Sequence, residues 1–293
     1  MLSREILRKI KRLEIKTSRL VEGAVAGSYL STFKGRGIEF TEVREYVEGD
    51  DVRAIDWNVT ARMGAPYVKT FMEERDLTVM LMVDLSGSME FGTIAQTKRE
   101  LAVDLCAAAG LLAVQNGDRV GLLAYTDRVE LFVPPRKGRR HVMRLLMELA
   151  ALKPVGRTTD LAPACGFLMR TVRTRATLFW ISDFMEAGDV RIIKAATRRH
   201  ELIPVLIKDR LESEFPEVGL VELSDPETGG NLLVDAASPA FAEYLRGYVE
   251  QRENARSALF KALKAEPLTL WTGASPINPL ARYFLRRARL RRH

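Results

Sequence analysis

From Leu77 onward the chain alternates short apolar or β-branched runs with longer segments in which apolar residues recur every three or four positions. The runs predict strands at Thr78–Asp84, Arg119–Tyr125, Val129–Val133, Thr177–Ser182 and Leu202–Ile207. A helix over Thr93–Gln115 carries Leu101, Leu105, Ala108 and Leu112 on one stripe and closes at Asn116-Gly117, a pair suited to the left-handed backbone that ends helices. Strands alternating with helices in this way give a mostly parallel sheet covered on both faces. Only Thr126, Asp127 and Arg128 separate the second and third strands, too little for a crossover, so these two form a hairpin and one strand runs antiparallel.

Beyond Asp209 the runs VGLVEL and NLLVDA flank a polar turn that begins Ser224-Asp225-Pro226, which reads as a hairpin inserted at about residues 212–236. Ser238-Pro239 then opens a helix to about Lys264, Leu268–Trp271 is a further strand, and Ser275-Pro276 opens the last helix. Before Leu77, glycines at 23, 27, 35, 37, 49 and 64 interrupt the pattern. The expected organisation is therefore a basic helix and a small, partly β segment over residues 1–76, followed by an α/β domain over residues 77–293.

Composition narrows the class. With 293 residues and 47% hydrophobic positions the chain has material for a real core, and disorder is excluded as its main state. The formal charge of +7 sits at the ends: residues 1–22 hold seven Lys or Arg against three Glu, and residues 282–293 hold six Arg and no acid, which leaves the middle net acidic. Leu2, Ile6, Ile10, Leu13 and Leu20, and in the tail Leu280, Phe284, Leu285 and Leu290, follow helical spacing, so both ends read as basic amphipathic helices packed on the body with their charges in water. A peripheral contact with an anionic surface is the second reading of these ends; specific nucleic-acid recognition is not expected, because no zinc-finger spacing or RNP-like aromatic run occurs. The N-terminal segment lacks the apolar run of a signal peptide, and Ala107–Val114 falls well below the ~20 residues that span a bilayer. A cytoplasmic protein without a transmembrane segment is expected. Cys106 and Cys165 fall in helical stretches and read as small buried hydrophobes.

Three loops carry the candidate chemistry. The first strand delivers Asp84 and is followed by Ser86 and Ser88, an Asp-x-Ser-x-Ser turn that brings a carboxylate and two hydroxyls together. Hard divalent cations such as Mg2+ take ~6 oxygen ligands, so this turn supplies half a shell. Gly156-Arg157-Thr158-Thr159-Asp160 precedes a helix, and Thr177–Ser182 ends in Asp183. In open α/β sheets ligands bind beyond the carboxyl ends of the strands, where Asp84 and Asp183 both fall, on strands expected side by side. Alone, Asp-x-Ser-x-Ser is also an ordinary turn and helix cap.

Taken together, the order of these loops, the hairpin and the strand-end carboxylate resemble the von Willebrand factor A fold with its metal-ion-dependent adhesion site. The resemblance implies that Asp84 anchors the cation directly or through water, and that Ser86 and Ser88 ligate it. It makes Thr159 the second-loop ligand, with Thr158 as the alternative because Arg157-Thr158 departs from the family's glycine-rich pattern. Asp183 becomes the third-loop carboxylate, with Ser182 in place of the more common threonine. Asp160 reads instead as a helix cap. The implied cofactor is Mg2+, or another divalent ion such as Mn2+ or Ca2+, and the implied action is to dock an acidic residue of a partner.

A closer resemblance comes from Tyr46-Val47-Glu48-Gly49-Asp50-Asp51-Val52-Arg53-Ala54-Ile55-Asp56-Trp57-Asn58-Val59-Thr60-Ala61-Arg62, which looks like the hallmark of the bacterial domain of unknown function 58 family. The turn at Asp225–Gly229 and the arginine-rich last helix are similar too. That resemblance implies an adaptor or chaperone-like partner of a MoxR-type AAA+ ATPase, acting on a client protein. Read from its residues alone, the stretch has two accounts: a buried Trp57 holds a small subdomain with Arg53 and Arg62 paired locally, or Arg53, Asp56, Trp57 and Arg62 form a platform for a partner. The chain is expected not to be an enzyme. The rival is a Mg2+-dependent phosphatase or other hydrolase using the strand-end aspartates, against which stands Ser86 where a second acid is wanted; the histidines His141, His200 and His293 have no suggestive context, and no phosphate-binding glycine loop precedes a Lys-Ser or Lys-Thr pair.

Overall fold

The computed structural model of the chain describes residues 39–47, 50–52, 55–72, 77–93, 96–185, 189–225, 227 and 229–290. The expected N-terminal basic helix lies outside them. The chain divides into two compact units, one over Phe33–Leu77 and a larger one that contains Thr78–His293.

In the smaller unit, β1 (Glu39–Glu45) and β2 (Tyr67–Met72) form an antiparallel pair that places Arg44 opposite Val68 and Glu45 opposite Tyr67. Between them lies the short helix α1 (Trp57–Met63). Asp56 caps it by accepting from the backbone N–H groups of Asn58 and Val59, and Gly64, at φ 75°, ends it. The fold is thus partly β, as the glycine-broken sequence led one to expect.

In the larger unit a six-stranded sheet has the order β12-β9-β8-β3-β6-β7. Its strands are β3 (Thr78–Asp84), β6 (Arg119–Tyr125), β7 (Val129–Arg136), β8 (Thr177–Ser182), β9 (Glu201–Lys208) and β12 (Leu268–Trp271). All neighbours are parallel except β6 and β7, the expected hairpin. Every residue of β3 and of β8 is buried, which explains their unbroken apolar runs. Chain order reverses at β3: α2 (Lys98–Gln115) leads to β6 on one side, whereas β8 joins on the other.

Alternate residues feed two cores. Met80, Met82, Tyr125, Leu178 and Trp180 pack with α4 (Leu161–Thr171), Ile193 of α5 (Val190–Arg199) and Leu259 and Phe260 of α6 (Pro239–Leu263). On the other side α2 packs against α3 (Arg139–Ala151) and α7 (Ile277–Leu290). The last helix buries Leu280, Tyr283, Phe284 and Ala288, while Arg286 pairs with Glu266 and Arg287 with Glu201. It packs on the body, the first reading of the basic tail. His141 Nε2 bonds the carbonyl of Val120, and His200 Nδ1 accepts from the Ala176 N–H, both structural roles. Cys106 and Cys165 are free and buried, and burial pushes both thiols up, that of Cys165 to about 12.

Several boundaries differ from expectation. Helix α2 starts at Lys98 rather than Thr93, because Thr97 and Glu100 form a reciprocal capping box, and the preceding residues make a short ribbon of β4 (Gly92–Thr93) with β5 (Gln96–Thr97). Strand β7 runs on past Val133 through Pro134 and Pro135; as a sheet edge it tolerates residues without an N–H. Strand β9 gains a residue at each end, and α7 opens at Ile277, with the Pro276 carbonyl accepting from Leu280 N–H. The inserted hairpin consists of β10 (Leu220–Ser224) and β11 (Asn231–Asp235).

Phe284 is fully buried and meets Phe179 of β8 edge to face at 6.3 Å. Phe284→Ala is expected to cost about 3–5 kcal/mol in urea unfolding. A loss below about 1 kcal/mol would show that α7 is not part of the core.

Candidate metal centre

The carboxyl ends of β3 and β8 meet where the sheet order reverses. Their register, Val83 opposite Ile181, brings Asp84 and the Ser182-Asp183 pair together. Asp84 is buried and each of its oxygens is engaged: Oδ1 accepts from the Ser86 N–H at 2.9 Å and Oδ2 from the Ser182 hydroxyl at 2.8 Å. Burial, and after it the negative charge of Asp183, pushes the Asp84 carboxyl up to about 6.

The turn after β3 gathers the hydroxyls. Ser86 and Ser88 are both buried, with their Oγ atoms 3.1 Å apart. Adjacent ligands of an octahedral ion with bonds of 2.0–2.1 Å are separated by about 3 Å, so this pair already has the spacing of one octahedral edge. The donor set, hydroxyl oxygens beside a buried carboxylate that lacks full charge compensation, fits a hard divalent cation.

The second loop is pinned from both sides. The Gly87 N–H donates to the Arg157 carbonyl at 2.7 Å, and Glu130 accepts from the N–H groups of Val155 and Gly156 and from the Thr126 hydroxyl. Burial works to raise the Glu130 carboxyl, but these donors outweigh it and hold it below the usual range. Gly156 is required here: a Cβ would come within 2.2 Å of Thr126 Oγ1 and of Asp127 Oδ1. Thr159 is half-buried on this loop and Thr158 is exposed. Asp160 caps α4 through the Ala162 N–H, the role expected of it.

The third loop is held more tightly still. Asp183 Oδ1 accepts from the Met185 N–H at 3.1 Å, and Ser182 Oγ accepts from the Phe184 N–H at 3.0 Å. Phe184 adopts φ 51°, a left-handed backbone unusual for a bulky residue, and is kept there by its buried ring between Trp180 and Phe260.

Two side chains at the centre escaped sequence reasoning. Lys98, the first residue of α2, is fully buried and donates from Nζ to Asp183 Oδ2 at 2.5 Å and to Glu212 Oε1 at 2.5 Å. Burial disfavours its charge, yet Asp183 and Glu212 outweigh that penalty and hold the ammonium above the ordinary lysine range. Glu212 lies in the 3-10 turn Arg210–Glu212, with its other oxygen accepting from the Asp209 N–H. Glu130 was missed as well. No sequence signal marked the first of these, since the helix was expected to open at Thr93.

The second group of predicted residues belongs to the smaller unit. Asp56 is the cap of α1, Arg62 sits in its last turn, and Arg53 lies outside the described residues. Trp57 is 67% exposed, which corrects the account in which it is the buried anchor of the subdomain. Its place at the first turn of a seven-residue helix turns the indole outward, and among the described residues Arg44 pairs with Asp50 at 2.7 Å. That guanidinium holds the Asp50 carboxyl below the usual range.

The family described as "Protein of unknown function DUF58" matches residues 42–254. The chain belongs to this family. An uncharacterized protein of Mycobacterium bovis is 37% identical over 223 residues, 75% of this chain and 70% of the relative, and one of Mycobacterium tuberculosis gives the same figures. Among solved structures, the conserved hypothetical protein BatB from Bacteroides thetaiotaomicron aligns with a TM-score of 0.45 at 13% identity, covering 73% of this chain and 99% of that one. The SpRpn10 VWA domain aligns with a TM-score of 0.38 at 8% identity, covering 70% and 94%. The larger unit has a mostly parallel six-stranded α/β fold, with the β6–β7 hairpin and the three loops at one end. No helix among the described residues is long and apolar enough to cross a membrane.

The Asp84 carboxyl holds its proton more tightly in the folded chain than its ordinary value of 3.8 allows when unfolded. Its contribution to stability is therefore present below about pH 4 and lost as pH rises through about 6. In EDTA, Asp84→Asn is expected to be more stable than the wild type at pH 7.5, by roughly 1–3 kcal/mol, with the gap closing at pH 4.5. Urea midpoints at both values read this out; a constant gap would contradict it.

Proposed function

We propose that this chain is a non-enzymatic interaction protein whose larger unit holds a divalent cation, Mg2+ in the first instance, and docks an acidic residue of a partner on it. Asp84, Ser86, Ser88 and Thr159 would hold the ion, with Asp183 behind them. A bound cation would supply an open coordination position that a partner's aspartate or glutamate completes, a directional contact that vanishes on chelation. The single observation that carries the reading is the pair of buried hydroxyls 3.1 Å apart beside the buried Asp84 carboxylate.

The chain's own residues do the positioning. Ser182 and the Ser86 N–H orient Asp84, and the Gly87–Arg157 bond ties the second loop to the first. With an oxygen committed to each donor, Asp84 is better suited to anchoring than to attack on a substrate, which supports docking over hydrolysis. The partner we propose is an AAA+ ATPase of the MoxR type, the ATPase or its client providing the acidic residue, with the protein working in the cytoplasm. The exposed Trp57 together with Asp56 and Arg62 is a second surface offered to such a partner.

Copurification tests this. Protein isolated in Mg2+ is expected to retain an AAA+ ATPase that is lost in EDTA and with Asp84→Ala; retention under all three conditions would remove the metal loop from the interaction. Ser86→Ala is expected to weaken Mn2+ binding by about tenfold or more in calorimetric titration. Mg2+-dependent phosphatase turnover that disappears in Asp84→Ala would sink the non-enzymatic reading.

A further inference from the structure

The position of Lys98 is costly. Its ammonium has no solvent exposure, and it meets two carboxylates drawn from segments far apart in the chain, Asp183 after β8 and Glu212 after β9. A buried ion pair contributes little net stability on its own, and a leucine or methionine would fill the same volume without the desolvation penalty. Charge balance at the centre gives the lysine another use. Two carboxylates, Asp183 and Glu212, share one ammonium, and Asp84 stands within electrostatic reach of Asp183, so these four groups when ionised carry an excess of two negative charges.

The distribution of that charge is uneven. Asp183 has Oδ2 on Lys98 and Oδ1 on the Met185 N–H, so its negative charge is already answered within the protein. Asp84 receives only hydroxyl and amide donors. Glu212 in turn shares the lysine and draws part of its charge away from Asp183. The three form a relay in which an outer carboxylate, side-chain exposure 20%, governs how fully the ammonium compensates an inner one.

We propose that Lys98 is a built-in counter-cation of this centre, which neutralises Asp183 so that a divalent ion is held weakly by the bare protein and retains charge for an incoming carboxylate. This rests on the reading of the centre as a metal site. Lys98 is a positioning and tuning residue in this scheme and not a ligand. Removing its charge strengthens the centre toward a bare cation, and removing the charge of Glu212 has the opposite effect, since it leaves the lysine wholly to Asp183.

The test is a titration of chelator-stripped full-length protein with Mn2+, followed by calorimetry and by the loss of free-ion electron paramagnetic resonance signal. Lys98→Met is expected to bind Mn2+ at least about tenfold more tightly than the wild type, and Glu212→Gln more weakly than the wild type. A lysine that merely braces the third loop would give weaker binding in both variants, and that result, or no change in Lys98→Met, overturns the proposal. Should Lys98→Met fail to fold, Lys98→Gln takes its place with the same expected tightening, and binding equal to or weaker than the wild type overturns the proposal. Failure of the underlying metal reading looks different, because neither wild type nor any folded variant would then take up Mn2+ above the level of Asp84→Ala.

Discussion

A carboxylate buried at the end of a central strand is the constraint on which this centre depends. Asp84 ends a strand with no exposed residue, in a region where an unanswered charge is expensive. The surrounding chain is organised as a response. A serine hydroxyl from the neighbouring strand takes one oxygen, the amide of the following turn takes the other, and the same turn brings two more hydroxyls to the same place. None of these groups is a cation. The buried ammonium of Lys98 is committed to Asp183 and Glu212. The arrangement therefore solvates Asp84 without neutralising it, the condition under which a hard cation is welcome.

The sheet order supplies the location. Because the chain leaves β3 on one side through α2 and returns on the other at β8, the loops beyond these two strands fall at the switch point where open α/β sheets take their ligands. Helix α2 then does two things at once. Its apolar body, buried at every position from Leu105 to Ala113, packs against the sheet, and its first residue delivers the lysine to the loops. The capping box of Thr97 and Glu100 fixes where the helix begins and hence where Lys98 stands.

What could be read in the sequence was local. Asp84, Ser86 and Ser88 lie within five residues on a turn, and the three central strands of the sheet announce themselves by runs with no polar interruption. The side-by-side placement of Asp84 and Asp183 followed from the alternation of elements. The pairing of Lys98 with Asp183 and Glu212 was not legible, since the partners are 85 and 114 residues away and nothing in the periodicity of α2 marks its first residue as buried. Strand β7 was cut short for a related reason: its prolines argue against a strand until the strand is known to be an edge. Trp57 failed in the other direction, a large apolar side chain taken for an anchor that stands instead in solvent on a short helix.

The third loop also has a mechanical consequence. Phe184 follows Asp183 directly, holds a left-handed backbone, and stacks its ring edge to face with both Trp180 at 4.6 Å and Phe260 at 5.1 Å. Close-packed rings of this kind do not slide independently. The Phe184 ring thus ties the backbone beside Asp183 to α6, a 25-residue helix that carries the exposed Tyr244 near its start. The position of the third-loop carboxylate is therefore set by the core packed behind it and not by its own loop alone.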